Sequence, residues 1–163
     1  MAIFHLSVKT ISRSSGRSST AAAAYRSGEK IECERTGLVH DYTRKKGVEY
    51  TEIFTPNDSP NWALNRSSLW NQAELSETRK NSTVAREFEV GIPAELDSEQ
   101  RKELIKDFCS QLVERHSMAV DVAIHAPDRN GDERNFHAHI LCSTRRLAPH
   151  GFTEKTRELD VKN

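Results

Sequence analysis

Two histidines lie two residues apart at the start of an apolar run, in the stretch NFHAHILCST at residues 135–144. A third, His125, closes an earlier apolar run at residues 117–126. Residues two apart on a β-strand point to the same face, so His137 and His139 would share one side of a sheet. If the two runs pair as a hairpin, His125 would lie beside His137. Three imidazoles placed in this way suit a divalent metal ion and leave coordination positions open.

Histidine on a strand is more commonly a packing or surface residue than a ligand, and three could cluster without a metal. The other four histidines, His5, His40, His116 and His150, show no comparable grouping. We therefore predict that the metal ligands are His125, His137 and His139.

Acidic residues near these positions are candidates for orienting the rings or for taking up a proton. Asp121 shares a face with His125 if that strand is regular. Glu87 and Glu89, in the stretch REFEVGI, also alternate on one strand face. A solvated acidic face would give the same pattern, so spacing does not decide between these interpretations.

A second informative stretch is SSTAAAAYRSGEK at residues 18–30, which follows a Ser/Arg-rich loop at 11–19. Ser19 or Thr20 can cap a helix here, and the four alanines give it a face that packs closely on a sheet. A polar loop followed by a helix N-terminus suits phosphate binding. Tyr25 near the start of this helix is, on its own, more typical of a packing residue than of a nucleophile.

Hydrophobic periodicity outlines the elements that must position these groups. We predict strands at 2–10, 31–43, 48–55, 83–92, 117–126 and 136–144, and helices at 21–30, 65–79 and 97–116. RKKG at 44–47 would join two of the strands as a hairpin, Asp97 would cap the third helix, and the polar tail at 145–163 is unclassified. Mixed helices and hairpins indicate an α+β fold with a mostly antiparallel sheet and helices on one face.

Composition limits the class of protein. The chain has 163 residues with 36% hydrophobic and 29% charged residues, which suits one domain, and no apolar run approaches the ~20 residues of a membrane span. Three scattered cysteines favour a reducing compartment, the cytoplasm, over a disulfide framework. Net charge is zero, yet residues 1–50 hold nine Lys or Arg against five Asp or Glu, so the N-terminal third could face phosphates.

Taken together, the N-terminal segment at 1–30, the strand EFEVGIP and the pattern AIHA…NFHAHI resemble plasmid mobilisation relaxases of the MobA/MobL type. These belong to the wider His-hydrophobic-His nucleases. The resemblance spans roughly residues 1–144, and GFTEKTRELD at 151–160 is also similar. Tyrosine, acidic strand and histidine motif occur in the family's order, which makes the combination specific.

The resemblance implies a relaxase-like sandwich in which Tyr25 is the nucleophile, His125, His137 and His139 hold Mg²⁺ or Mn²⁺, and Glu87 and Glu89 are the acidic pair. Such proteins nick one strand of plasmid DNA at the transfer origin, remain joined to its 5′ end through phosphotyrosine, and later rejoin it. It also implies single-stranded DNA, accessory relaxosome proteins and a coupling protein as partners. Because Tyr42 and Tyr50 are distant in sequence, we predict a single-tyrosine mechanism. We expect residues 1–163 to be the N-terminal relaxase domain of a longer protein.

Three other functions remain open from the sequence. A rolling-circle replication initiator would use the same chemistry at a replication origin. A three-histidine zinc hydrolase would act on a small substrate with Tyr25 structural. A non-catalytic DNA-binding module would carry a structural metal.

Overall fold

A computed structural model describes residues 5–160, which form eight strands and three α-helices. The strands are β1 (Leu6–Ser12), β2 (Lys30–Glu32), β3 (Val39–Asp41), β4 (Val48–Phe54), β5 (Thr83–Ile92), β6 (Met118–His125), β7 (Phe136–Ala148) and β8 (Gly151–Lys155). The helices are α1 (Ser19–Ser27), α2 (Arg66–Leu75) and α3 (Ser98–His116). Residues 2–4 of the predicted first strand lie outside the described part of the chain.

The central sheet has the strand order β1-β5-β7-β6-β4, and every neighbouring pair is antiparallel. β8 pairs with the far end of β7, while β2 and β3 form a separate two-stranded ribbon. The predicted α+β fold with a mostly antiparallel sheet is confirmed. β6 and β7, which carry the three histidines, are inner strands of this sheet, so their backbone is held on both sides.

Helices cover both faces of the sheet, so the expectation of helices on one face is wrong. α1 and α2 pack on the face that includes Ala119 and Leu141, whereas α3 packs on the face that includes Val120 and Ile140. Since successive strand residues point to opposite faces, a near-continuous apolar run such as MAVDVAI supplies core residues to both sides. The sheet therefore has two separate apolar cores.

The strand pairing differs from the prediction around residues 44–47. β3 pairs with β2, and β4 pairs with β6 in the central sheet, so the expected hairpin across RKKG is wrong. Ile53 and Phe54 of β4 pack against the two cores, whereas Val39 of β3 is half exposed, which explains why β4 takes the central position. The tail beyond residue 144 contains the end of β7 and all of β8, where Phe152 packs on the core under α1 and α2.

Helix ends are defined by side-chain caps. Ser18 accepts from the amide of Ala21 and begins α1, one residue before the predicted caps, and Gly28 ends it with a φ of 71°. Asp97 and Gln100 form the capping box that begins α3, as predicted for Asp97. α2 is shorter than the predicted 65–79. Among the helices of residues 5–160, none combines the length and apolar character needed to cross a bilayer.

Candidate metal centre and nucleophile

The three predicted histidines lie together on the α1 side of the sheet. His125 of β6 is directly opposite His137 of β7, and His139 is two residues further along β7. The ring centroids are 5.3 Å apart for His125 and His137, 4.6 Å for His125 and His139, and 5.0 Å for the two residues of β7. One ring nitrogen from each residue falls in a group whose atoms are all within 4.8 Å of one another.

Each ring has one nitrogen engaged by an acceptor of the protein. His125 Nε2 lies 2.8 Å from the carbonyl oxygen of Arg26, His137 Nδ1 lies 3.0 Å from that of Asn135, and His139 Nδ1 lies 2.7 Å from Glu87 Oε1. Carbonyl and carboxylate oxygens only accept, so these nitrogens carry the hydrogen. The second nitrogen of each ring therefore has a free lone pair, which is the arrangement found around protein-bound metals.

Burial keeps two of the rings in the neutral form that binds a metal. Burial of His125, together with the neighbouring His139 and Lys45, lowers its pKa to about 4 despite the hydrogen bond to Arg26. Burial also lowers the pKa of His139, against the opposing effect of Glu87. Since a metal competes with the proton for the same lone pair, neutral imidazoles at pH 7 favour binding. The residues present thus fit a divalent ion.

Glu87 and Glu89 of β5 both reach this site but differ in surroundings. Glu87 is buried, accepts from His139, and forms an ion pair with Arg26 at 3.1 Å. Burial alone would raise its pKa, but the bonds from His139 and Arg26 outweigh this and hold the pKa at about 2. Glu89, opposite His139 in the register, is partly exposed, and its carboxylate also groups with Glu87 and His139. The structure therefore makes Glu87 the ring-orienting residue.

Asp121 does not orient a histidine. It shares the face with His125, as the alternation predicted, but its carboxylate accepts from the guanidinium of Arg66 and from Trp70 Nε1 at 2.8 Å. Arg66 also binds Glu29, so this buried network joins α2 to the sheet and to the start of β2. Side-chain alternation places a residue on a face but does not identify its partner, which in this case comes from α2.

Tyr25 lies in the last turn of α1, so the prediction that it is near the start of the helix is wrong, and 44% of its surface is exposed. Lys45 Nζ lies 3.5 Å from the centre of its ring and donates to its backbone carbonyl at 2.8 Å. The ring of Tyr42 meets it edge-on at 5.1 Å. The next residue, Arg26, binds His125 through its carbonyl and Glu87 through its guanidinium. The end of α1 therefore carries Tyr25 next to the residue that binds both His125 and Glu87.

Two further expectations from the sequence differ from the structure at this site. Tyr42 is distant from Tyr25 in sequence but in direct contact with it in space, whereas Tyr50 packs on the opposite, α3 side of the sheet. The N-terminal amides of α1 do not provide a phosphate site, because Glu74 accepts from Ser19 N at 2.8 Å and Ser18 accepts from Ala21 N. Arg26 and Lys45 were missed altogether. The only sequence signals for them are the basic residue directly after Tyr25 and the basic run RKK at 44–46.

Comparison with known proteins assigns the chain to a family. The model of the MobA/MobL family matches residues 17–163. The chain belongs to the MobA/MobL family. It is 43% identical to mobilization protein MobL of Acidithiobacillus ferridurans, over 98% of this chain and 47% of that protein. It is 35% identical to conjugal transfer protein TraA of Agrobacterium fabrum, over 95% of this chain and 14% of that protein. The chain thus spans half or less of the length of these two relatives.

Two solved structures share the fold. One, described as the molecular basis of vancomycin resistance transfer in Staphylococcus aureus, superimposes with a TM-score of 0.84 at 36% identity, covering 94% of this chain and 76% of that one. The other is TrwC complexed with a 27-mer DNA comprising the recognition hairpin and the cleavage site. Its TM-score is 0.52 at 11% identity over 95% of this chain and 61% of that one, and it supports the fold alone. The predicted relaxase-like sandwich is confirmed.

Proposed function

We propose that this MobA/MobL domain nicks and rejoins one strand of DNA at a plasmid transfer origin through a 5′-phosphotyrosyl intermediate on Tyr25. The main observation in support of the proposal is that Arg26 contacts both a site histidine and a site carboxylate. Its carbonyl and guanidinium hold His125 and Glu87 while the adjacent residue presents a half-exposed tyrosine. A nucleophile and three imidazoles with free lone pairs on one face suit phosphodiester chemistry.

His125, His137 and His139 would hold the divalent ion, Mg²⁺ or Mn²⁺, which when bound would supply Lewis-acid stabilisation of charge on the non-bridging phosphate oxygens. Glu87 fixes the tautomer and orientation of the His139 ring. With a pKa held at about 2 it is ionised and weakly basic, so it acts as a positioning residue rather than as a proton acceptor. Glu89, more exposed beside it, remains the acidic residue open to substrate.

In the proposed reaction, the hydroxyl oxygen of Tyr25 forms a bond to phosphorus as the bond from phosphorus to the 3′ oxygen breaks. The tyrosine proton passes to solvent, and the departing 3′ oxygen takes up a proton from solvent and becomes a hydroxyl. The ammonium of Lys45 lies 3.5 Å from the centre of the Tyr25 ring and holds that ring in place by a cation–π contact. Because a phosphodiester replaces a phosphodiester, the attack of the 3′ hydroxyl on phosphotyrosine reverses the step and rejoins the strand.

Family membership favours mobilisation over a replication initiator, since the relatives are named as mobilisation and conjugal transfer proteins. A small-substrate hydrolase with a structural tyrosine fits less well, because Tyr25 is half exposed instead of packed in either core. We propose single-stranded DNA at the transfer origin as the substrate, the class that membership of the MobA/MobL family implies. We further propose accessory relaxosome proteins and a coupling protein as partners.

We place the activity in the cytoplasm, which suits Cys33, Cys109 and Cys142 as free, buried thiols. We also keep the hypothesis that residues 1–163 are the N-terminal domain of a longer protein.

The proposal is tested with single strands from the transfer-origin region of the encoding replicon, incubated with the protein and Mn²⁺ and run on denaturing gels. We expect a defined nick and a shifted band in which the protein is attached to the fragment on the 3′ side of the nick. A nick without any protein–DNA adduct would identify a metal hydrolase. DNA binding with neither product would identify a binding module.

A further inference from the structure

A groove of about 530 Å³ opens directly beside Tyr25. One wall is formed by Arg13, by the loop at residues 16–18 and by α1, with the small side chains of Ala21 and Ala22. The ribbon of β2 and β3 and the residues flanking it form the other wall, from Arg35 to Tyr42. None of the three site histidines lines the groove, so the groove lies beside Tyr25 and outside the histidine cluster.

The charge of the groove is positive. Five of its lining residues are Lys or Arg and none is Asp or Glu, with the cations being Arg13, Arg17, Arg26, Arg35 and Lys80. Arg13 and Arg35 bind the buried carboxylate of Glu74, and Arg26 binds Glu87. The side chains of Arg17 and Lys80 are exposed and have no hydrogen bond or ion pair within residues 5–160. These two cations are therefore available to an anion from outside the protein.

The opposite wall offers a surface for a base. Leu38 is 60% exposed although it is apolar, and the partly exposed rings of His40 and Tyr42 follow it along the ribbon. Stacking on aromatic and apolar side chains binds bases without regard to sequence, while cations track the phosphates. A cavity of this volume is in the range of small-ligand pockets, ~300–1,000 Å³. Cations along the groove, together with the apolar and aromatic groups of the ribbon wall, suit a nucleotide.

We infer that this groove binds the first nucleotides on the 3′ side of the nick, the segment that stays attached to the protein. The inference rests on the proposed function. In an in-line displacement, the attacking and leaving oxygens lie on opposite sides of phosphorus. The 3′ oxygen and its strand therefore depart from the side away from Tyr25. The segment that keeps the phosphate is bonded to Tyr25 itself, so its first nucleotide must lie next to that residue, where the groove opens.

The test compares two oligonucleotides with the same sequence before the nick. One ends a single nucleotide after the nick, and the other continues for about eight nucleotides, within the ~4–16 nucleotides of single-strand binding sites. For the wild type, we expect a lower KM for adduct formation with the longer strand. Each of Arg17→Gln and Lys80→Gln should raise the KM of the longer strand about tenfold, the effect of one lost charge-assisted contact. The rise in the KM of the short strand should be at most about a third of the rise for the longer strand.

Salt dependence provides a second readout. For the longer strand, the slope of log affinity against log salt should become shallower by about 0.7 for each cation removed. Arg115→Gln on α3 is the matched control, because this exposed arginine also has no side-chain partner in residues 5–160 and lies outside the groove. It should change neither KM nor slope.

Several results would overturn the inference while leaving the proposed function intact. A wild-type KM that is independent of length, or equal losses on both strands in Arg17→Gln and Lys80→Gln, would show that the groove does not bind the attached segment. A wild type that forms no adduct with either strand would instead overturn the proposed function.

Discussion

The two faces of strands β6 and β7 contain different kinds of residues within the same backbone. Under α3 lie mainly apolar side chains from these strands, including Val122, Ile124 and Ile140, all almost fully buried. Under α1 and α2 the alternate positions include Asp121, His125 and His139, which are also buried. Each of these polar groups has a partner from outside its own strand.

This difference shows how a small domain can bury reactive groups. Apolar burial on the α3 side supplies stability at roughly 25 cal/mol per Å² and requires no specific partner. Buried polar groups destabilise the fold unless each one is paired, so the α1 side depends on individual hydrogen bonds to the acceptors of Arg26 and Glu87 and from the donor Arg66. Substitutions on the two faces should therefore have different effects: on the α3 side they should lower the free energy of unfolding, and on the α1 side they should impair the site.

His139→Ala should have the largest functional effect, because it removes one of three ligands. We expect Mn²⁺ affinity to fall by on the order of a hundredfold or more, above the 10–100-fold typical of outer-shell changes, and adduct formation to be lost. Calorimetric titration of Mn²⁺ gives the affinity. Mn²⁺ should also raise the melting temperature of the wild type but not of the variant. Equal titrations for both proteins would rule out the metal assignment.

Ile140 is the neighbouring residue on the other face. Ile140→Ala should destabilise the fold but leave the metal site unchanged. Truncating this fully buried side chain should lower the free energy of unfolding by about 2–5 kcal/mol. Urea denaturation measures that loss. The folded variant should keep both its Mn²⁺ affinity and the Mn²⁺-induced rise in melting temperature. If Ile140→Ala weakened Mn²⁺ binding as much as His139→Ala, the two faces would not be independent.

Glu87→Gln should weaken Mn²⁺ binding about tenfold. The neutral amide holds the His139 ring less firmly, and it no longer compensates the positive charge of Arg26 beside the metal site. Glu89→Gln is the matched control on the same strand face and should have a smaller effect. Titrations of both variants decide which carboxylate of the predicted pair supports the metal ligand. A larger loss for Glu89→Gln would reverse the roles of the two carboxylates.

Lys45→Gln should slow adduct formation about 2–30-fold, the range of a cation–π contribution of ~0.5–2 kcal/mol. Burial and the charge of Arg26 lower the pKa of Lys45 to about 8, so the ammonium is present below that pH and lost above it. The ratio of wild-type to variant rate should therefore approach one as the pH rises through 8. Lys46→Gln, an exposed neighbour, is the control. A ratio independent of pH would contradict this role.

The parts of the site that could be predicted from sequence are those set by strand geometry. Period-two alternation placed His137 and His139 on one face, and pairing of the two strands brought in His125. The resemblance implied a site role for Glu87, but the ring acceptors from Arg26 and Asn135 are backbone carbonyls, which leave no sequence signal. Lys45 and Tyr42 reach Tyr25 only because the β2–β3 ribbon folds back against α1.

The fold was predictable where apolar patterns are long and was missed where they are short. α3 and β5 to β7 lie within a few residues of their predicted bounds. β4 was assigned the wrong partner because local spacing suggested a hairpin, whereas burial of Ile53 and Phe54 against the cores decides its position. β8 was missed because an edge strand with only Phe152 packed on the core has little hydrophobic period.

The central claim is that Tyr25 attacks the DNA, and the contact with Tyr42 makes the identity of the nucleophile the sharpest question. Trypsin cuts after Arg17 and Arg26, after Arg35 and Arg44, and after Lys46 and Arg66, so Tyr25, Tyr42 and Tyr50 fall in three separate peptides. The adduct is digested with nuclease and trypsin, and mass spectrometry identifies the peptide that retains a nucleotide. We predict the nucleotide on residues 18–26, with Tyr25→Phe abolishing it. A nucleotide on the peptide of residues 36–44 would contradict the central claim by assigning the nucleophile to Tyr42.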